Sequence, residues 1–227
     1  MVFRCPICSA ELVEQHARAT CSYCRTSEEA EWLCPGGHFQ CEECRCAEPS
    51  ALVARACAAA VGADPFQIAT LIMQHSSFTQ AGPEHHLIVA PVVLAAMRNH
   101  VADCVPASAA TDAIARAIGI PLGACASRGD CGGAVGAGIA VSIASGATPV
   151  RGKQRSMVLR ASACASLALA DMGGVRCCKQ AVFCGIETAW SAIRTSLVAA
   201  LPELARPVCA FSGRQKDCKS EACPYHA

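Results

Sequence analysis

Eight of the chain's nineteen cysteines precede Ala47, as Cys5-Pro6-Ile7-Cys8, Cys21-Ser22-Tyr23-Cys24, Cys34, Cys41-Glu42-Glu43-Cys44 and Cys46. A CxxC turn points two sulfurs at one tetrahedral ion, and two such turns close a site. The same segment lacks helical periodicity and is broken by Pro6, Pro35 and Gly36-Gly37. It holds too little apolar surface to fold alone, so bound metal has to hold it. Residues 1–48 are therefore read as a small irregular or β zinc-ribbon-like module carrying one or two structural zinc ions.

Cys5, Cys8, Cys21 and Cys24, with twelve residues between the two turns, have the pattern of a four-cysteine ribbon. A second set follows in Cys34, His38, Cys41 and Cys44, three thiols and an imidazole, with Cys46 in reserve. The spacing is compatible with two successive ribbons or with an interleaved cross-brace, and both pairings stay open. A closed four-ligand zinc has no position for substrate, so these sites read as structural; their functional alternative is a docking surface for a partner protein.

A secreted disulfide scaffold is the rival explanation for so many cysteines. Against it, the number is odd, the residues come as CxxC and CC pairs, and no basic, apolar, cleavable segment follows Met1. A reducing, cytoplasmic setting is expected. The net charge of +1 conceals a split: residues 1–50 carry four arginines against eight acids, and the rest fifteen bases against ten. Neither part concentrates enough Lys and Arg to favour nucleic acid. The longest apolar runs, Leu87 to Met97 and Gly132 to Ala147, fall short of the ~18 to 20 residues that cross a bilayer.

After Pro49-Ser50 the chain becomes Ala-rich, and the fold class is mainly α. Ser50 is read as the cap of a helix over about 51–61. Further helices are predicted near 65–77, 84–100, 109–118, 132–145, 155–172 and 178–200, with a kink at Pro91. Asp64-Pro65 is a cap with a first-turn proline, and Gly119 and Gly173-Gly174 are stops. The expected organisation is a helical domain over 49–201 and a cysteine-containing tail over 202–227 packed on it.

Three motifs of the helical part carry chemistry. Gly82-Pro83-Glu84-His85-His86 opens an apolar helix, where a carboxylate and two imidazoles at a helix start are candidates for proton transfer or metal ligation. Cys125 and Cys131 flank a Gly-rich entry to the helix beginning Gly132-Gly133. Cys177 and Cys178, beside Arg176 and Lys179, sit at another helix entry; positive neighbours and the helix end favour thiolate there. Lys179 is thereby counted with Glu84, His85 and His86 among the catalytic candidates. The tail adds Cys209, Cys218 and Cys223, a further metal site or a lid on the central one. Cys57, Cys104, Cys164 and Cys184, in or beside Ala-rich helices, read as core residues.

The succession Cys5-Pro6-Ile7-Cys8, Cys21-Ser22-Tyr23-Cys24, Gly82 to His86, Cys125, Cys131, Cys177-Cys178 and Cys223-Pro224-Tyr225 resembles an uncharacterised bacterial and archaeal family of cysteine-rich domains of unknown function. The resemblance spans nearly the whole chain and implies a neighbourhood of radical-SAM or methyltransferase proteins, but no reaction. Cys131-Gly132-Gly133-Ala134-Val135 and Cys178-Lys179-Gln180-Ala181-Val182 are also similar to the paired signatures of a redox-active family, with one glycine extra and the order reversed.

Three functions follow from these residues. The first is an enzyme holding an iron–sulfur cluster on Cys125, Cys131, Cys177 and Cys178, with Glu84, His85 and His86 facing a small-molecule substrate. The second is a metal or sulfur carrier that docks a partner protein on the zinc module. The third is a cluster-free thiol redox protein cycling Cys177 or Cys178 against Cys125 or Cys131. The small-residue helix after Cys131 could also pack against a second copy in a homodimer.

Overall fold

A computed structural model describes residues 2–226. The chain begins with a two-stranded antiparallel sheet, β1 (Val13–Thr20) and β2 (Ser27–Leu33). Val13 pairs with Leu33 and Thr20 with Ser27, with an irregularity between Glu14 and Ala17. Both strands are largely exposed, so side-chain burial contributes little to this hairpin.

Helices follow in the order α1 (Glu42–Arg45), α2 (Pro49–Ala59), α3 (Pro65–Met73), a 3₁₀ turn (Pro83–Leu87), α4 (Val89–His100), α5 (Ala109–Ala117), α6 (Ala124–Ser127), α7 (Gly132–Ser145), α8 (Gly152–Asp171) and α9 (Cys178–Ser196). A short 3₁₀ turn at Ser220–Ala222 lies in the tail. The mainly helical class predicted from composition is what the chain adopts.

Some expected boundaries move for local reasons. Helix α2 is capped by Glu48 with Pro49 in its first turn, so Ser50 lies inside the helix rather than at its cap. Asp64 caps α3 as expected, its carboxylate accepting from Phe66 N at 2.8 Å. The single helix predicted over 84–100 is instead a 3₁₀ turn followed by α4. Pro91 is the third residue of α4, where its missing N–H would have no intrahelical partner, so a kink is not required.

The core is one apolar cluster that includes α4 from Val89 to Met97, the inner faces of α2, α3, α7 and α9, and Ile7 and Tyr23 of the N-terminal segment. Helix α7 sits among α4, α8 and α9. Its glycines let it approach so closely: a methyl group on Gly133 would collide with the Ala181 carbonyl of α9, and one on Gly136 would lie 2.8 Å from Val89 Cβ. Cys57 and Cys184 are buried, as expected of core thiols. Cys164 is not, because α8 buries only Ala161 and Ala165 and turns Cys164 to solvent; Cys104 is half-buried.

The tail is pinned to the helices. Tyr225 is buried, stacks edge-on against Phe183 of α9 with centroids 5.4 Å apart, and donates its hydroxyl to Glu187 Oε2 at 2.6 Å. Cys209 N donates to Tyr225 O at 2.7 Å, closing the tail on itself. No helix among the described residues is long and apolar enough to cross a membrane.

Candidate metal centres and a thiol-lined cavity

Two groups of side chains are gathered as metal ligands would be. Cys5, Cys8, Cys34 and His38 form one, and Cys21, Cys24, Cys41 and Cys44 the other, the ligand atoms of each lying within 4.8 Å of one another. Within them Cys8 Sγ approaches Cys34 Sγ at 3.4 Å, and Cys24 Sγ approaches Cys41 Sγ at 3.5 Å. A tetrahedral ion with Zn–S bonds of about 2.3 Å sets its sulfurs about 3.8 Å apart, so both groups fit a single soft cation. His38 presents Nδ1 to Cys34 Sγ at 3.7 Å.

The pairing is interleaved: first with third, second with fourth. The successive arrangement, with Cys5, Cys8, Cys21 and Cys24 on one ion, is therefore not the one adopted. Strand β1 explains why, since eight extended residues at ~3.3 Å each carry Cys21 some 25 Å from Cys8. The segment after β2 returns His38 to the first group and Cys41 to the second.

Charge is shared unevenly inside each group. Burial opposes ionisation of Cys24 and Cys34, but hydrogen bonds from Thr26 and Cys41 to the first, and from Cys8, Gly36 and His38 to the second, bring both down to about 6. Burial drives Cys41 up to about 11. Four crowded thiols cannot all ionise without a cation among them, which the donor set is suited to hold.

The second group is tied to the helices through His75. Its Nε2 donates to Cys44 O at 3.0 Å, its Nδ1 accepts from Ser77 N at 3.1 Å, and its ring meets Tyr23 edge-on. The first group reaches further. Pro6, Ile7 and Ser9, on and beside its leading knuckle, form part of the wall of a cavity of ≈ 270 Å³.

That cavity is lined by four thiols, Cys177, Cys209, Cys218 and Cys223. Each sulfur accepts an N–H. Gln180 N reaches Cys177 Sγ at 3.4 Å, Gln180 Nε2 reaches Cys223 Sγ at 3.4 Å, and Gly213 N reaches Cys218 Sγ at 3.4 Å. The Phe211 backbone serves Cys209. Burial raises Cys177 and Cys209, whereas the Gly213 and Ser220 amides lower Cys218. Lys179, Arg214 and Lys219 also line the cavity, and no Asp or Glu among the described residues does.

Of the four cysteines singled out for the central site, Cys178 feels the charges of Cys131 and Cys177, but only Cys177 lines the cavity. Cys177 caps α9 and faces the cavity, while Cys178 accepts from the Gly82 backbone and lies in the field of Cys131. Cys131 caps α7, and Cys125 is exposed on α6. The tail cysteines take the places beside Cys177 that Cys125 and Cys131 were expected to fill. Their clustering in the tail was visible; the fold that brings positions 209–223 to position 177 was not.

Glu84, His85 and His86 also stand outside the cavity lining. His86 turns away, its Nδ1 donating to Ile120 O at 3.3 Å and its ring against Gly132. His85 is buried, and its Nε2 accepts from Lys179 Nζ at 3.1 Å. The proton of this imidazole therefore sits on Nδ1, facing Gly82 O at 3.3 Å and Glu84 Oε1 at 3.4 Å. Lys179 Nζ spends its other protons on Thr79 O at 2.6 Å and Gln80 O at 3.0 Å. Thr79 N and Oγ1 donate to Glu84 Oε1 at 2.9 and 2.6 Å, closing a buried Glu–His–Lys network. Lys179 is thus a buried cation fixed behind the thiols, with no proton free to give.

Acid should dissolve this network. Burial lowers His85 below its ordinary 6.5, and the hydrogen bond from His85 holds Glu84 at about 2. Both groups bind protons more weakly folded than unfolded, so their contribution is full above 6.5 and falls as the pH drops through that value and then below 4.5. Burial lowers His75 and His86 too, in the same sense. The urea midpoint is expected to decline from pH 6.5 downward, less steeply between 6.5 and 5 in His85→Gln. Parallel curves for the two proteins would remove His85 from this role.

Two groups built to hold metal ions, braced against a helical body, define a cysteine-rich metal-binding protein. The chain belongs to DUF5714, a family of unknown function, which it matches over residues 53–226. That span contains the cavity thiols and begins after both metal-binding groups. No curated protein and no solved structure matches the chain.

Proposed function

We propose that this is an iron–sulfur protein in which two zinc ions hold the N-terminal segment as one wall of the cluster's cavity. The zinc ions are structural, with all four positions taken by protein ligands. The cluster is held by Cys177, Cys209, Cys218 and Cys223. The observation that carries this reading is the cavity itself: four thiols, each accepting an N–H, beside three cations and, among the described residues, no Asp or Glu. Hydrogen bonds to sulfur and a positive surround are what stabilise thiolates bound to an anionic cluster.

Spacing is compatible with a cluster. These four sulfurs are not gathered within 4.8 Å as the two N-terminal groups are. A cluster interposes several irons between its thiolates and accepts the wider spread. Bound there, it would supply electron transfer or a Lewis-acidic iron for sulfur or redox chemistry. The chain's own part is to orient the thiolates, exclude water with Phe183, Phe211 and Tyr225, and set the field with Lys179.

Anaerobic purification with iron, sulfide and zinc analysis tests the assignment. About four irons and about two zincs per chain are expected. Cys177→Ser, Cys209→Ser and Cys223→Ser should each lose iron and keep zinc, while Cys125→Ser and Cys131→Ser keep both. Zinc alone in the wild-type protein, after anaerobic reconstitution with iron and sulfide, overturns the cluster.

A further inference from the structure

We propose that the cavity binds a small oxyanion, a carboxylate or a phosphate, through Arg214 and Lys219 beside the thiols. The three cations of the lining are not equivalent. Lys179 is buried with its protons committed to Thr79 O, Gln80 O and His85 Nε2, so it acts through its field alone. Lys219 Nζ donates only to Met172 O, at 3.3 Å. The Arg214 guanidinium has no hydrogen-bond or ion-pair partner among the described residues, although its backbone is fixed by Gln80 Nε2 donating to Arg214 O at 2.6 Å.

Arg214 and Lys219 are exposed residues at the cavity, and a guanidinium with an empty fork there can take two oxygens of one anion in bidentate contact. Asp217 and Glu221, the acids of the same segment, do not line the cavity. Size limits the ligand as well. A space of ≈ 270 Å³ lies below the ~300 to 1,000 Å³ that drug-sized molecules fill, and thiol ligands and their cluster take part of it. A small metabolite with one anionic group fits.

The inference rests on the cluster reading for what happens to the anion, but the anion contacts require no iron. Calorimetric titration of the full chain with inorganic phosphate and, separately, succinate provides the test, with iron measured in every sample. Saturable binding of at least one probe is expected, weakened about tenfold by Arg214→Gln when the two proteins are compared at matched iron content. The preferred probe tells a phosphate site from a carboxylate site. Absence of saturable binding for both probes, or equal affinity in Arg214→Gln, overturns the proposal. Binding in a protein that stays iron-free after anaerobic reconstitution with iron and sulfide would leave the anion site standing without the cluster, and iron without binding would do the reverse.

Discussion

Gly185→Ala is expected to destabilise the protein by ~3 kcal/mol or more, a large share of the ~5 to 15 kcal/mol that holds a typical domain. A methyl group at Gly185 of α9 would be driven into the Gly133 carbonyl of α7, and one at Gly133 into the Ala181 carbonyl of α9. Both obstacles are backbone in the middle of packed helices, so no rotamer change relieves them and the helices themselves have to separate. That separation would also shift Cys177 at the start of α9, one wall of the thiol cavity. Gly152→Ala is the matched control: it lies at the start of α8, where a methyl group meets nothing within 4 Å, and alanine there is expected to be neutral or stabilising by up to ~1 kcal/mol. Urea unfolding of the two variants measures the contrast. A Gly185→Ala midpoint equal to wild type would mean that α7 and α9 do not cross as described.

Helix α7 shows what could be read from the sequence. Its run of small residues predicted a helix over 132–145, and the observed helix is Gly132–Ser145, ending at Gly146 in the left-handed conformation. The metal ligands were legible for a local reason: a CxxC turn aims two sulfurs whatever lies around it. Which turns share an ion depended on how far strand β1 carries the chain, a tertiary quantity. The mistaken placement of Cys164 in the core came from reading α8 as buried because it is Ala-rich, although an outer helix needs only one thin stripe of small residues. The break at His85 had no local signal, since the 3₁₀ turn delivers that imidazole to Lys179, a partner 94 positions away. Cys177 and the tail cysteines likewise meet through the docking of Tyr225 against α9, which spacing alone does not encode.

Cys44→Ala should abolish metal binding at both groups rather than one. Apart from Ile7, Tyr23 and Ala30, the buried residues among those described before Ala47 are the candidate ligands Cys5, Cys21, Cys34, Cys41 and Cys44 themselves, so bound metal would stand in for a core. A structural zinc in a small module supplies ~10 to 16 kcal/mol of folding free energy at neutral pH, far more than this hairpin's side chains can. In an interleaved brace the segment from Cys34 to Cys44 serves both ions, and freeing its end at Cys44 withdraws the constraint that keeps Cys34 and His38 beside Cys5 and Cys8. Successive ribbons would behave otherwise, since the loss of one site would leave the other closed. The same change loosens the His75 contact to Cys44 O and releases the wall formed by Pro6, Ile7 and Ser9. The expected result is zinc content lower by about two per chain, cleavage by protease before Pro49, and faster alkylation of Cys177, Cys209 and Cys223. Cys46→Ala, at an exposed thiol outside both groups, should change none of these. Retention of one zinc with an uncleaved N-terminal segment in Cys44→Ala would show that the two sites fold independently and that the brace is not interleaved.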